Sequence, residues 1–329
     1  MVAIRTSPAR GGLADLCRAG LDATTFRREL ATRLARVVAF EAYCVNTVDP
    51  ATGLVTSSIG DGLSVTDARR LFAIEERGTD FNPLASLRAV RTMHDSTGGR
   101  VGRSERMRRI FLPLGLGDEL RAPLDAWNAR WGYLHLFRGR LQRPFSTSDV
   151  ARVTSMLLAM GHALRRAAML QAASSVGRAG VVLLDRRGRV TATNVEAARW
   201  VDALGEDVGG AIPHLLVVTG LRAWSDPIVA HHRTPGGAWL SAQGSRLDRR
   251  AAVVLGAPTG SALRPLMMRG HGLTPREREV AALVLDGYTN ASVANQLDIG
   301  LQTAKDHVKA IFRKTKTCGR AELLAKFTG

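Results

Sequence analysis

All five lysines of the chain lie within its last 25 residues, at Lys305, Lys309, Lys314, Lys316 and Lys326. The other 41 of the 46 basic residues are arginines, spread along the chain. The first two of these lysines are four residues apart, so on a helix they share one face. Two ammonium groups on one face can neutralise neighbouring phosphates and release the counterions of a polyanion. The spacing therefore indicates phosphate contact at this stretch.

Residues typical of helix ends place this stretch within a group of short helices. Thr274, Pro275 and Glu277 supply an N-cap, a proline at the first helical position and a capping-box partner, which predicts a helix start. Gly287 suits the residue just beyond the end of that helix.

Three more helices are predicted, one after Thr289, one from about Leu301 and one over RAELLAKF. Apolar residues recur at helical spacing in all four. The expected core residues are Val280, Leu283, Val284, Val293, Ala294, Leu297, Ala304, Val308, Ile311, Phe312, Leu323, Leu324 and Phe327. Two short helices joined by the tight turn DIG form a helix-turn-helix.

The run from LTPREREV to RAELL closely resembles the DNA-binding domain of LuxR-type transcription regulators. The likeness lies in the opening LTPREREV, the turn from Gly287 to Asn290, the pattern from Thr303 to Val308, and Lys314 and Arg320. In that family the third helix enters the major groove, and the fourth commonly joins a symmetric dimer. The resemblance therefore implies double-stranded DNA as a partner and a homodimer.

Carried over by position, the resemblance implies that Lys305, Asp306 and Lys309 face the groove, while Thr303 and Lys314 lie near phosphates. The carboxylate of Asp306 repels phosphate, yet it can accept a hydrogen bond from cytosine N4, so we expect it to help select sequence. A charged stripe on an isolated helix is more often a solvated face. The surrounding motif favours DNA contact instead.

Two positions depart from the family pattern. Ser292 stands where the family usually has Glu, so the second helix lacks its capping-box partner. Gly300 stands in place of a Ser N-cap, a change that costs only a few tenths of a kcal/mol. We expect neither to prevent folding.

Residues 13–165 predict an α+β sensor domain, with helix, hairpin, helices, hairpin and helix in order. This order and the strand WGYLHLFR resemble a GAF domain, which implies a small-molecule pocket or a protein-docking surface. The candidate ligand-binding residues are Tyr43, Trp127, Trp131, Tyr133, His135 and Phe137. Aromatic side chains at alternating strand positions also suit an ordinary core, so both interpretations stay open.

A long helix is predicted over 146–173, with an apolar stripe at alternating spacings of three and four. The stripe consists of Val153, Met156, Met160, Ala163, Ala167 and Leu170. Such a stripe serves a dimer seam or packing within its own domain equally well.

Residues 175–257 resemble a PAS domain, because GVVLLDRRGRVTATN gives strand, turn, strand and an Asn before a helix. A degenerate PAS domain and an extension of the first module are both open. Proline and glycine residues predict a linker over 258–270. The helix-turn-helix domain then covers 271–329.

Composition limits the remaining classes of function. A net charge of +17 favours nucleic acid first and an anionic membrane second. A membrane binder would need a basic amphipathic helix with exposed bulky apolar residues, and no apolar run approaches the roughly 18 residues of a membrane span. The first residues lack the apolar segment of a secretory signal, so we expect a cytoplasmic protein.

No catalytic or metal-binding pattern stands out in the sequence. The Gly-x-Ser-x-Gly, HExxH and Walker A patterns are missing. The three cysteines read as free thiols. His231 and His232 are adjacent, so on a strand they would point to opposite faces. We therefore expect no enzyme, no metal and no cofactor. A phosphorylatable receiver domain ahead of the helix-turn-helix would need an acidic cluster at a strand end and a Lys further along that domain. No Lys precedes residue 305, so we expect no receiver domain.

The predicted fold is multidomain: a GAF-like α+β sensor, a shorter PAS-like α+β module and an all-α four-helix domain of the LuxR type. The predicted function is a dimeric, sequence-specific transcription regulator controlled by a small effector or a protein partner, with RNA polymerase as a further candidate partner. The alternative is a ligand-independent architectural or scaffold protein whose sensor folds only dimerise.

Overall fold

The computed structural model describes residues 12–60, 63–169, 178–205, 213–258 and 260–328. They form two compact units. The N-terminal unit comprises residues up to 125 and 130–257, and the C-terminal unit comprises 126–129 and 258 onward. Among the described residues, no helix has the length and apolar character that crossing a bilayer requires.

The N-terminal unit begins with a five-stranded antiparallel sheet and its helices. In chain order the elements are α1 (Leu13–Arg18), α2 (Ala23–Leu34), β1 (Ala42–Val48), β2 (Val55–Gly60), α3 (Val65–Arg77), β3 (Arg91–Thr92), α4 (Met93–Ser96), β4 (Leu116–Ala126), β5 (Ala129–Gly139) and α5 (Thr147–Met169). The strand order is β2-β1-β5-β4-β3. Both predicted hairpins are confirmed as β1–β2 and β4–β5.

Strand β5 is covered on both faces, and successive side chains along it point to opposite faces. On one face Gly132 lets α5 approach, because a Cβ there would lie 2.6 Å from Leu164 Cδ1. The opposite face carries Trp131, Tyr133, His135 and Phe137, as the alternation predicted. This second face borders the cavity described below.

Helix α5 packs within its own unit. Ser146 and Asp149 form a reciprocal cap at its start, with backbone N–H groups donating to the partner side chains at 2.9 and 3.2 Å. The stripe residues Val153, Met160 and Ala167 are buried within the unit. Of the two interpretations of the stripe, the structure therefore shows intradomain packing. Leu170 and the predicted continuation to 173 lie outside the described residues.

A second five-stranded antiparallel sheet completes the N-terminal unit. Its elements are β6 (Gly180–Leu184), β7 (Val190–Thr193), α6 (Val195–Leu204), α7 (His214–Arg222), β8 (Ile228–Arg233), β9 (Trp239–Leu247) and β10 (Arg250–Gly256). The order β7-β6-β10-β9-β8 repeats that of the first sheet: second, first, fifth, fourth, third. The DRRG turn and the capping role of Asn194 are as the sequence indicates, since Asn194 accepts the backbone N–H of Ala197 at 3.0 Å.

The C-terminal unit is helical, with α8 (Gly260–Gly270), α9 (Pro275–Leu285), α10 (Asn290–Gln296), α11 (Leu301–Thr315) and α12 (Arg320–Thr328). The linker predicted over 258–270 is wrong for its greater part, which is helix α8. Its two glycines stand at the helix ends, and burial of Leu266 and Met268 stabilises the helix despite the internal Pro265.

The other predicted helix starts are confirmed: Thr274 caps α9 with Glu277 in a capping box, and Thr289 caps α10. One predicted core residue is wrong. Leu324 is 42% exposed, whereas Leu323 and Phe327 on the same helix are buried. A nine-residue helix buries a narrow stripe, and Leu324 lies one residue outside it.

Candidate functional sites: a basic helix face and an apolar cavity

Helix α11 has one buried and one exposed face. Ala304, Val308 and Ile311 are buried in the core of the C-terminal unit. Thr303, Lys305, Asp306 and Lys309 are all exposed. The structure therefore brings these four predicted DNA-contacting residues together on the solvent side of a single helix.

A glutamine that the sequence analysis missed belongs to the same face. Gln302 donates from Nε2 to Asp306 Oδ1 over 3.1 Å, one helical turn away. This hydrogen bond can orient the Asp306 carboxylate between the two exposed lysines. A glutamine amide can itself pair with adenine in the major groove. The spacing of 302 and 306 was a usable signal, because residues four apart on a helix are neighbours.

Lys314, the fifth predicted contact, has a partner inside the unit. Its Nζ lies 2.6 Å from Glu277 Oε2 and 3.2 Å from the carbonyl oxygen of Gly272. Burial by itself would raise the pKa of Glu277, but the hydrogen bonds from Lys314 and Thr274 outweigh it and lower that pKa. Glu277 thus both caps α9 and holds α11 against it.

Further polar contacts join α10 to α9 and to α12. Arg276 donates to the carbonyl oxygen of Leu297 at 2.6 Å, at the end of α10. Arg320 donates to Asn290 Oδ1 at 2.6 Å. Ser292, one of the two departures from the family pattern, places its hydroxyl 2.9 Å from Thr289 Oγ1. These contacts fix the position of α10 within the C-terminal unit.

The N-terminal unit contains a cavity of about 440 Å³ within the size range of small-molecule sites. Of the six predicted ligand-binding residues, Tyr43, His135 and Phe137 line it. Two tryptophans do not: Trp127 is 45% exposed in the β4–β5 turn and Trp131 is buried elsewhere along β5. Both tryptophans belong to the β4–β5 hairpin, which contributes to the cavity wall. Only part of that hairpin lines the cavity.

Tyr133 also lies outside the cavity. Its hydroxyl donates to the carbonyl oxygen of Leu84 at 2.9 Å, and its ring packs with Val48, Val55 and Leu87. For Tyr133 the core interpretation is therefore the one that the structure shows.

A buried ionic network contributes Arg121 and His135 to the wall of the cavity. Glu119 accepts from Arg106 at 2.8 Å and from Arg121 at 2.7 Å, and it lies 3.1 Å from His135 Nδ1. Burial would raise the pKa of Glu119, but the two guanidinium groups outweigh it and hold that pKa well below its usual range. Burial lowers the pKa of His135, which favours the neutral form of its ring.

The wall of the cavity includes a histidine from the second sheet's helices. His214, the first residue of α7, places Nε2 3.0 Å from Ser58 Oγ and meets the Phe72 ring edge-on at 4.1 Å between centroids. Sequence reasoning missed His214, because 156 residues separate it from Ser58. No local pattern signals such a contact.

Two further contacts join the sheets of the N-terminal unit. The Asp49 carboxylate, in the β1–β2 turn, accepts the backbone N–H of His231 at 2.7 Å and lies 3.3 Å from its Nδ1. Arg222 pairs with Glu76 at 2.6 Å.

In the portion of the chain that the structure describes, no cluster of His, Cys, Asp or Glu has the arrangement of a metal site.

Comparison with known proteins gives the C-terminal unit a family. Residues 271–327 match the model of the luxR family of bacterial regulatory proteins. A monoamine regulon transcriptional regulator of Klebsiella aerogenes is 44% identical over 54 residues, which are 16% of this chain and 24% of the relative. The tetrathionate response regulatory protein TtrR of Salmonella typhimurium is 30% identical over 161 residues, which are 47% of this chain and 74% of the relative.

Two solved structures are similar at low identity. Escherichia coli SdiA is 13% identical with a TM-score of 0.32, over 94% of this chain and 92% of that one. Vibrio cholerae VqmA is 14% identical with a TM-score of 0.20, over 45% of this chain and 80% of that one. These scores are too low to support a common fold for the whole chain. The match to residues 271–327 and the extent of the TtrR similarity together show that the chain belongs to the luxR family of bacterial regulatory proteins.

Proposed function

We propose that the protein is a dimeric transcription regulator that binds double-stranded DNA through the exposed face of α11. The observation that carries this proposal is the arrangement on that helix. Lys305 and Lys309 lie on the solvent side of a luxR-family helix-turn-helix whose opposite side is buried in the core. A helix of this kind fits the major groove, and its lysines neutralise phosphates.

Each exposed residue of the face takes a role from its chemistry. Lys305, Lys309 and Thr303 contact the phosphate backbone and set affinity. Asp306, oriented by Gln302, reads base edges and sets sequence preference. Lys314 is assigned to the contact with Glu277 inside the domain, in place of the phosphate contact that the family resemblance implies.

For the N-terminal unit we propose a GAF-like module over 13–165 and a PAS-like module over 175–257. The repeated strand order of the two sheets supports a pair of related modules. The cavity in the first module takes a small effector, and His214 carries the effect of occupancy to the second module through Ser58. Because the α5 stripe is buried within its own unit, the homodimer forms through another surface, with α12 as the family resemblance implies.

The test uses the full-length chain and two labelled duplexes of equal length at one salt concentration. One carries the region upstream of the protein's own gene, and the other has a random sequence. A regulator binds the first about a thousandfold more tightly or better. Equal affinities would favour the architectural alternative. Sedimentation of the free and DNA-bound protein tests the dimer, and a monomer in both states would contradict it.

A further inference from the structure

The cavity of the N-terminal unit has aromatic and aliphatic walls. Phe72, Phe111 and Phe137 line it, and the last two rings lie 4.6 Å apart between centroids at 40°. Leu71 and Leu116 extend the apolar surface. Such walls accept an apolar ligand body, and the faces of aromatic rings also attract cations.

Each nitrogen of the guanidinium that lines the cavity already has a protein acceptor. Arg121 donates from Nε to Glu119 at 2.7 Å and from Nη1 to the carbonyl oxygen of Asn82 at 3.0 Å, and its Nη2 lies 2.7 Å from Glu75 Oε1. An anionic ligand would have to displace one of these buried contacts. Breaking a buried ion pair is costly, since it leaves an uncompensated charge behind.

The cavity instead offers acceptors. Glu75 lines it: its Oε2 accepts the backbone N–H of Leu84 at 3.2 Å and its Oε1 lies 2.7 Å from Arg121 Nη2, so each carboxylate oxygen keeps a lone pair for a further donor. The Glu119 carboxylate can only accept, so His135 carries its proton on Nδ1 and leaves Nε2 as a second acceptor. Both groups can therefore accept a hydrogen bond from a ligand.

The charges around this end of the cavity also favour a cation. Asp80, Glu119 and Glu75 carry three negative charges against the two positive charges of Arg106 and Arg121. The network is therefore one negative charge in excess. An enclosed carboxylate beside aromatic rings binds a protonated amine through ion pairing, hydrogen bonding and cation–π attraction.

We propose that the effector is a small organic cation, a protonated amine on an aromatic or short apolar body, with the ammonium at Glu75 and His135. This proposal depends on the effector-binding role given above. The ammonium donates to Glu75 Oε1 and His135 Nε2, and the body lies against the phenylalanine rings.

Three probes that share one body test the ligand class in the full-length protein: 2-phenylethylamine, 2-phenylethanol and phenylacetate. Calorimetric titration at pH 7 gives their dissociation constants. We expect the amine to bind at least tenfold more tightly than phenylacetate, with the alcohol between them. Phenylacetate binding as tightly as the amine would overturn the proposal, and so would a failure of all three probes to bind.

Glu75→Gln identifies the carboxylate responsible. The variant should weaken amine binding at least tenfold while changing alcohol binding by less than threefold. Glu76→Gln is the matched control, because the adjacent Glu76 pairs with Arg222 and does not line the cavity. Unchanged amine affinity in Glu75→Gln would overturn the assignment. The wild-type probe series remains decisive if this variant is unstable.

Thiol protection supplies a second measurement. Cys44 lines the cavity, Cys17 is buried and Cys318 is exposed. In a Cys318→Ser protein, bound 2-phenylethylamine should slow alkylation of Cys44 at least threefold, and an unchanged rate would contradict binding in this cavity. Duplex binding by the same samples separates the two proposals: loss of amine selectivity with DNA binding intact removes only the ligand class.

Discussion

Positive charge has different roles in the two units of the molecule. In the N-terminal unit Arg27, Arg106 and Arg121 are among the largest fully buried side chains. In the C-terminal unit Lys305 and Lys309 are exposed. A guanidinium presents five donors in a planar fork that several buried acceptors can share, whereas an ammonium is compact and strongly hydrated. Burial among acceptors makes a charge structural, and exposure on a helix face leaves it available for a partner.

The difference makes separable predictions, because removal of a buried charge partner should change folding and removal of an exposed charge should change binding. Glu119→Gln is expected to have the largest effect. It leaves two buried guanidinium groups short of a carboxylate, so the free energy of unfolding of the N-terminal unit should fall by about 3–5 kcal/mol. Denaturant unfolding of the full chain, followed by circular dichroism and by amide exchange in each unit, measures it.

Glu105→Gln is the control for that variant. Glu105 pairs with Arg77 and Arg109 near the surface, where such pairs contribute about 0–1 kcal/mol. Equal destabilisation by both variants would show that burial does not distinguish the two carboxylates. Loss of amide protection in the C-terminal unit of Glu119→Gln would contradict the local character of the network.

The double variant Lys305→Ala/Lys309→Ala tests the exposed side of the comparison. Each lost phosphate contact removes about 0.9 from the slope of log affinity against log salt. The slope should therefore fall by about two. When the salt concentration is lowered from 1 M to 0.1 M, the variant should gain about sixtyfold less affinity than the wild type gains. Unfolding should be unaffected. Titrations of a fluorescent duplex at several salt concentrations measure the slope.

Arg70→Ala/Arg199→Ala is the matched control, since it removes two exposed positive charges from the N-terminal unit. Its salt slope should equal that of the wild type. A slope reduced as much as in the lysine variant would show that net charge, and not the α11 face, determines DNA binding.

Lys314 and Glu277 are an intermediate case, a lysine with a structural partner. The pKa of Glu277 is lowered in the folded chain, so the pair stabilises the fold above the unfolded pKa of about 4.3. That contribution is lost as pH falls through the folded pKa. Glu277→Gln should destabilise the C-terminal unit by about 1–2 kcal/mol at pH 7.

The pH dependence checks the same variant. The difference in unfolding free energy between wild type and Glu277→Gln should be constant from pH 7 to about 5 and should shrink below about 4.3. A difference that stays constant down to pH 3 would exclude the lowered pKa. Lys314→Met should leave the salt slope of DNA binding unchanged, whereas a phosphate contact would lower it by about one.

The same division explains how much could be predicted from the sequence. The helix-turn-helix is built from local signals: Thr274, Glu277 and Thr289 mark helix starts within a few residues of the bonds they form. Residue spacing alone also places Lys305 and Lys309 on one face. The error over 258–270 arose because packing of buried apolar residues outweighed the local preference of proline and glycine.

The cavity combines residues that are distant along the chain. Alternation on β5 placed His135 and Phe137 on the face that borders the cavity, but it could not tell which part of that face meets the cavity, so Trp131 was included. His214 and Arg121 were missed, because their roles depend on contacts with Ser58 and Glu75 made across the fold. Periodicity predicts the facing direction of a side chain but does not predict its partner.

The smallest predicted effect concerns the start of α11. Gly300 is the N-cap, with φ −63° and ψ 145°, and it makes no side-chain hydrogen bond. A Cβ there would meet only Thr303 Oγ1 at 3.6 Å, an ordinary contact, so serine fits without strain. Gly300→Ser should accept a backbone N–H of the first turn and stabilise the C-terminal unit by a few tenths of a kcal/mol.

Amide exchange in α11 resolves so small a change. Gly300→Ala is the control, because it adds the Cβ without the hydroxyl and should destabilise the helix start. If serine and alanine change protection equally, the effect comes from the added Cβ and not from capping. If Gly300→Ser tightens specific and random duplexes by the same small factor, the first turn of α11 orders as DNA binds and contributes to affinity alone. A gain confined to the specific duplex would instead place that turn, with Gln302 and Asp306, in base recognition.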